Sequence, residues 1–138
     1  MHEAALIVLY DDDGRILLQK RSHDAWFMPD RWAYFGGKIE LHESPREALD
    51  RESQEELNYK PRNPELILNE VFDYNGFVFR LHIFLDYAGD VLPSLELHEG
   101  ADWGWFNAEE ISGLNTIAHD IVGFERAFQR IAEKVSTL

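Results

Sequence analysis

Two runs of strand-forming residues, Glu65 to Tyr74 and Phe77 to Tyr87, are separated by Asn75-Gly76 alone. A two-residue Asn-Gly link closes a turn whose twist matches that of the strands it joins, so the runs predict a long antiparallel hairpin. A hairpin is marginal until further strands or a helix cover its apolar face. The chain upstream offers both. Ala4 to Tyr10 and Arg15 to Arg21 read as two more strands about a turn at Asp13-Gly14. Ala33 to Phe35 predicts a short strand stopped by Gly36-Gly37, and Asp102 to Phe106 a further one.

The clearest helix is Ser44 to Leu57. Ser44 suits the N-cap, Pro45 the first helical position, and Glu47 completes a Ser-x-x-Glu capping box. Asn58 takes the left-handed position where helices commonly end, and Pro61 and Pro64 prevent continuation. Ser22 to Trp32 reads as a loop bent at Met28-Pro29-Asp30. Asn107 to Ile111 predicts a helical turn, and Thr116 to Val135 a final amphipathic helix. With no repeat, low-complexity tract or linker, residues 1–138 are expected to form a single α/β domain, a mixed sheet with helices packed on it.

Composition narrows the function. The formal net charge is −13, which repels nucleic-acid phosphates and anionic lipid, so a general nucleic-acid or membrane binder is disfavoured. A phosphate-containing substrate is disfavoured only without a metal ion, because a carboxylate cluster loaded with divalent cations becomes an anion site. There is no cysteine, which excludes disulfides, thiolate catalysis and Cys-based zinc sites. Ala4 to Tyr10 lacks the basic start of a signal peptide and the length of a membrane span. These features point to a soluble, cytoplasmic protein.

The chemistry is concentrated at Gly36-Gly37-Lys38-Ile39-Glu40-Leu41-His42-Glu43 and in the helix after it. Glu52, Glu55 and Glu56 stand at i, i+3 and i+4 and so share a helical face. Three like charges there repel one another. A hard divalent cation with oxygen ligands relieves that repulsion, and Mg²⁺ is the usual partner of phosphate groups. Glutamates alone are more often a solvated acidic face. Glu47 and Arg51 form a favourable i,i+4 pair, expected to fix the arginine.

The wider pattern adds more. Gly37, Glu43, Arg51, Glu52, Glu55 and Glu56 fall in register with Gly-x5-Glu-x7-Arg-Glu-U-x-Glu-Glu-x-Gly-U, where U is bulky and apolar. The segment therefore resembles the Nudix box, and the chain resembles the MutT-like Nudix hydrolases. It departs from the box at Asn58 for the late glycine, and at Ser53 and Tyr59 for the U residues. His42 stands where relatives commonly have glycine, and Phe35 where many have proline. Ser53 is expected to weaken packing beneath the helix.

The resemblance implies a Nudix-type α/β/α sandwich and hydrolysis of a diphosphate linkage in a nucleoside diphosphate joined to another moiety. It implies that Glu52, Glu55 and Glu56, with the Gly36 carbonyl, bind Mg²⁺, or Mn²⁺ in its place. Arg51 then orients the carboxylates, while Gly37 and Glu43 support the site from the loop. Glu99 is the expected distant acid, with Glu96 as its rival, and Glu52 or Glu99 accepts the proton of the attacking water. Many such relatives are homodimers. The alternative class is a catalytically silent Nudix-fold protein that binds a nucleotide as a sensor or regulator. An isoprenoid diphosphate isomerase is a weaker third reading, because it requires a cysteine.

Among the aromatics before the box, Trp26 and Trp32 are candidate base contacts, and Arg21 is a candidate phosphate contact beside Arg80. His119-Asp120 reads first as a capping or surface pair, with a place in a pocket wall as the alternative. No His-Glu-x-x-His, Walker loop or Rossmann fingerprint occurs.

Overall fold

The structure is a computed structural model that describes residues 1–136. Among these, seven strands form one sheet: β1 (His2–Tyr10), β2 (Ile16–Lys20), β3 (Trp32–Ala33), β4 (Phe35–Lys38), β5 (Glu65–Tyr74), β6 (Phe77–Tyr87) and β7 (Asp102–Phe106). The helices are α1 (Pro45–Leu57), α2 (Ala108–Ser112) and α3 (Ile121–Ser136). β1 and β6 are parallel, whereas every other pairing is antiparallel, so the sheet is mixed.

β1 is covered on both sides, which its nearly unbroken apolar run requires. Ala5, Ile7 and Leu9 pack beneath α1 against Leu49 and Leu57. Val8, with Ala4, Leu6 and Tyr10, faces the other layer, where α3 supplies Phe124, Ala127 and Ile131. The architecture is the expected α/β/α sandwich. Among the described residues, no helix is long and apolar enough to cross a membrane.

The hairpin forms between β5 and β6, and Asn75 and Gly76 both have positive φ, 51° and 88°, as a type I′ turn demands. Two expectations need correction. Gly36-Gly37 does not stop a strand; both residues lie inside β4, paired with Leu6 and Ala5 of β1. Gly36 has φ +125°, and a Cβ there would lie 2.2 Å from the Ala5 carbonyl oxygen, so glycine lets the two strands approach. The last helix begins at Ile121 rather than at Thr116. The preceding segment is tethered to the sheet by Trp32 N–H donating to the Asn115 carbonyl, and a 3₁₀ turn at Ala118–Asp120 precedes the helix.

Candidate active site

α1 is delimited as its sequence dictates. The Ser44 hydroxyl accepts the Glu47 N–H at 3.1 Å, Glu47 Oε1 accepts the Ser44 N–H at 2.9 Å, and Asn58 closes the helix at φ 52°. Its inner face buries Ala48, Leu49, Ser53 and Leu57. Ser53 is fully enclosed, and its Oγ has no hydrogen-bond partner. That leaves a polar group where the box has an apolar one, at a cost of about 1–3 kcal/mol.

The same inner face turns Glu56 toward β4. Its carboxylate is 5% exposed and accepts the Gly36 N–H at 2.8 Å. Burial pushes this carboxyl up to about 8. The charges of Glu52, Glu99 and Glu55 push the same way, and the Gly36 N–H opposes them. Burial also raises Glu52, against its hydrogen bond from Arg51. Gly37 faces the Glu52 carboxyl, where a Cβ would come within 2.8 Å. Gly37 thus leaves room for Glu52, and the Gly36 N–H holds Glu56.

Arg51 binds Glu43 through two parallel hydrogen bonds, Nε to Oε2 at 2.8 Å and Nη2 to Oε1 at 2.9 Å. It also donates to Glu52 Oε1 at 2.8 Å and to the Lys38 carbonyl at 3.0 Å, and Glu55 lies 3.6 Å away. The paired bonds from Arg51 hold the Glu43 carboxyl down at about 2. The expected Glu47–Arg51 pair is not what fixes the arginine. Glu47 is turned back into the capping box, and Glu43, from the preceding loop, takes its place.

The rival acids separate in space. Glu96 accepts from Asn58 Nδ2 at 2.7 Å and pairs with His98, so it serves the end of α1. Glu99 is exposed and close enough for its charge to raise both Glu52 and Glu56.

Carboxylate oxygens are donors of the type that a hard divalent cation takes. Four carboxylates act electrostatically on one another here, one is buried, and among the described residues Glu56 forms no ion pair. No three acidic or histidine side chains among the described residues converge as a ready-made ligand set. Glu52 is drawn to Arg51 and Glu56 to the Gly36 N–H.

On the α3 side of the sheet, a cleft of about 430 Å³ opens beside the same glycines. Gly36, Gly37 and Lys38 form one wall, and Phe27, Phe77 and Phe79 supply aromatic surface. Trp26 lies at the rim, 81% exposed, edge-on to Phe77 at 6.0 Å. Arg21 also lines the cleft, donating through Nε to the Phe27 carbonyl at 2.7 Å. Trp32 does not line it; its ring packs on Phe106 at 5.0 Å. Arg80 binds Asn69 at 2.8 Å on an exposed face.

His119 and Asp120, read from the sequence as surface or capping residues, are walls of this cleft. Asp120 is 3% exposed, and burial pushes its carboxyl up to about 8, against the opposing charge of Arg21. The sequence reading also passed over Phe77 and Phe79. The signal was present, since Phe77, Phe79 and Leu81 alternate along one face of β6.

Comparison with known proteins gives the family and the fold. The NUDIX domain profile matches residues 1–127. The CTP pyrophosphohydrolase of Escherichia coli K12 is 31% identical over 102 residues, covering 74% of this chain and 73% of the relative. The 8-oxo-dGTP diphosphatase of the same organism is 28% identical over 102 residues, 74% of this chain and 71% of that one. Among solved structures, the E. coli ORF135 protein superposes with a TM-score of 0.76 at 28% identity, covering 96% of this chain and 91% of that one. The MutT protein of Methanosarcina mazei Go1 gives 0.75 at 22% identity over 96% and 94%, a likeness of fold. Since the profile spans the glycine pair, the glutamate helix and all seven strands of the sheet, the chain belongs to the Nudix family.

Proposed function

We propose that this chain hydrolyses a diphosphate linkage in a nucleotide derivative, with the base in the aromatic cleft and the diphosphate over the glutamate face of α1. The observation that carries this is the shared wall. Gly36-Gly37 receives the two innermost acids on one side and borders the cleft on the other, so one extended ligand can reach both. The names of the curated relatives support the class, since they act on CTP and on 8-oxo-dGTP, two nucleoside triphosphates with different bases.

In this reading Glu52, Glu55, Glu56 and the Gly36 carbonyl hold Mg²⁺, with Mn²⁺ as substitute. A bound dication would neutralise diphosphate oxygens that the acidic surface otherwise repels. The chain's own groups do the rest. Arg51 holds Glu52 and Glu43 in place. Water attacks phosphorus as the bond to the leaving phosphate breaks, and Glu99 takes the proton of that water. Glu99 is preferred to Glu52 as base because Glu52 already accepts from Arg51, whereas Glu99 is exposed and its charge acts on both Glu52 and Glu56. Arg21 and Lys38, on the cleft wall, offer positive charge to the phosphates.

The test is release of phosphate or nucleoside monophosphate from a panel that includes CTP and 8-oxo-dGTP, with and without Mg²⁺, alongside Glu55→Gln. Metal-dependent turnover that the variant loses is the expected outcome. Nucleotide binding without turnover on any compound would replace the enzyme by a regulator.

A further inference from the structure

The short segment that carries Glu99 is fastened at both ends. On its N-terminal side, Glu96 N–H donates to the Leu57 carbonyl at 3.0 Å and His98 N–H to the Glu56 carbonyl at 2.8 Å. The loop is thus registered on the last turn of α1, on the main chain of one of the acids themselves. On its C-terminal side, Ala101 N–H donates to the Lys20 carbonyl of β2 at 2.8 Å. Only Glu99 and Gly100 lie between the two fastenings.

Gly100 has φ +81°, and its Cα faces the side chain of Gln19. A Cβ there would lie 2.5 Å from Gln19 Oε1 and 2.8 Å from the Lys20 carbonyl oxygen. Neither the backbone conformation nor the space admits a larger residue. Gln19 is 3% exposed and is held by its own Nε2, which donates to the Tyr34 carbonyl at 3.0 Å. A buried primary amide is unfavourable unless its hydrogen bonds are made, and an apolar residue would fill a core strand position more cheaply. This amide sits where the loop turns. Tyr34 immediately precedes β4, so the residue that leads into the strand meeting Glu56 also anchors the glutamine.

We infer that Gln19 and Gly100 are positioning residues: the Gln19 amide is the seat on which Gly100 turns, and that turn holds Glu99 beside Glu52 and Glu56. The inference rests on the proposal that Glu99 is the base of the reaction. Neither residue touches substrate; each acts through Glu99.

A double-mutant cycle separates positioning from general damage. Turnover is measured for Gly100→Ala, Gln19→Ala and Glu99→Gln, and for the first two combined with the third, on CTP or on the panel nucleotide hydrolysed fastest. Gly100→Ala is expected to lower kcat roughly tenfold or more with KM within about threefold, and Gln19→Ala to act in the same sense. In the Glu99→Gln background, either change is expected to alter kcat by less than about twofold, because the group being positioned is gone. The same factor in both backgrounds would mean unspecific damage and overturn the inference. If Gly100→Ala does not fold, Gln19→Ala carries the comparison, since it leaves the backbone unstrained.

A Glu99→Gln variant with wild-type kcat would remove the base assignment, and the positioning role with it.

Discussion

Among the buried carboxyls of the described residues, two are pushed up to about 8, on opposite sides of the sheet: Glu56 on the α1 side and Asp120 in the cleft below α3. Burial is the first cause in both, but the surroundings differ. Glu56 is crowded by other acids, with the charges of Glu52, Glu99 and Glu55 all adding to its shift. Asp120 stands beside aromatic rings, and the charge that acts on it is the opposing one of Arg21. A carboxyl raised by its own kind calls for a cation. One raised by apolar walls stays neutral and offers both a donor and an acceptor. The two sides of the glycine pair therefore suit different ends of one ligand.

The sharpest way to break this comparison is Glu56→Gln. Turnover is expected to fall more than tenfold, by at least about 1.4 kcal/mol of transition-state stabilisation, with no loss of thermal stability. An unchanged rate would remove the metal face from the mechanism. The pH dependence of stability comes next. Glu56 rises from 4.5 and Asp120 from 3.8, each to about 8 in the folded chain. Below their ordinary values both states hold the protons. Between those values and about 8 only the folded chain holds them, so stability falls as pH rises, by up to about 1.4 kcal/mol per unit and carboxyl, then levels off. Thermal melts of the metal-free protein from pH 5 to pH 8 measure the loss. Saturating Mg²⁺ is expected to reverse the part due to Glu56 and to leave that of Asp120. Restoration of neither, or of both, would contradict the contrast.

Smaller effects sharpen it from the cleft side. Trp26→Ala removes an exposed ring from the rim and is expected to raise KM several-fold with kcat nearly unchanged, as steady-state kinetics would show. A fall in kcat with constant KM would instead place Trp26 in the chemistry. The smallest change lies at His42, which sits at φ +69°, in the left-handed region that favours glycine. His42→Gly is expected to stabilise the protein by roughly 0.5–1 kcal/mol in denaturant melts without altering turnover. A loss of stability would mean that the imidazole makes a contact outweighing the strained backbone.

Much of this was legible because it is local. Ser44, Glu47 and Asn58 delimit α1 through backbone contacts within five residues, and Asn75-Gly76 sets the hairpin turn by its own torsions. Local signals misled where a distant partner intervened. Gly36-Gly37 looked like a strand terminator, since nothing nearby shows that β1 will press against it. Thr116 looked helical, since the sequence does not reveal the tether between Asn115 and Trp32. Glu47 looked like the natural partner of Arg51, yet the loop returns Glu43 to a better, two-bond geometry.

By itself, then, the sequence determined the elements, the acidic face of α1 and the family, because periodicity, caps and motif spacing act over a few residues. Only the tertiary structure decided that Glu99 rather than Glu96 neighbours Glu52 and Glu56. It also decided that Asp120 lines a cleft and that Gln19 seats the loop carrying Glu99. These are contacts between residues far apart in the chain, and they exist only once the sheet brings β1, β2, β4 and β6 into register.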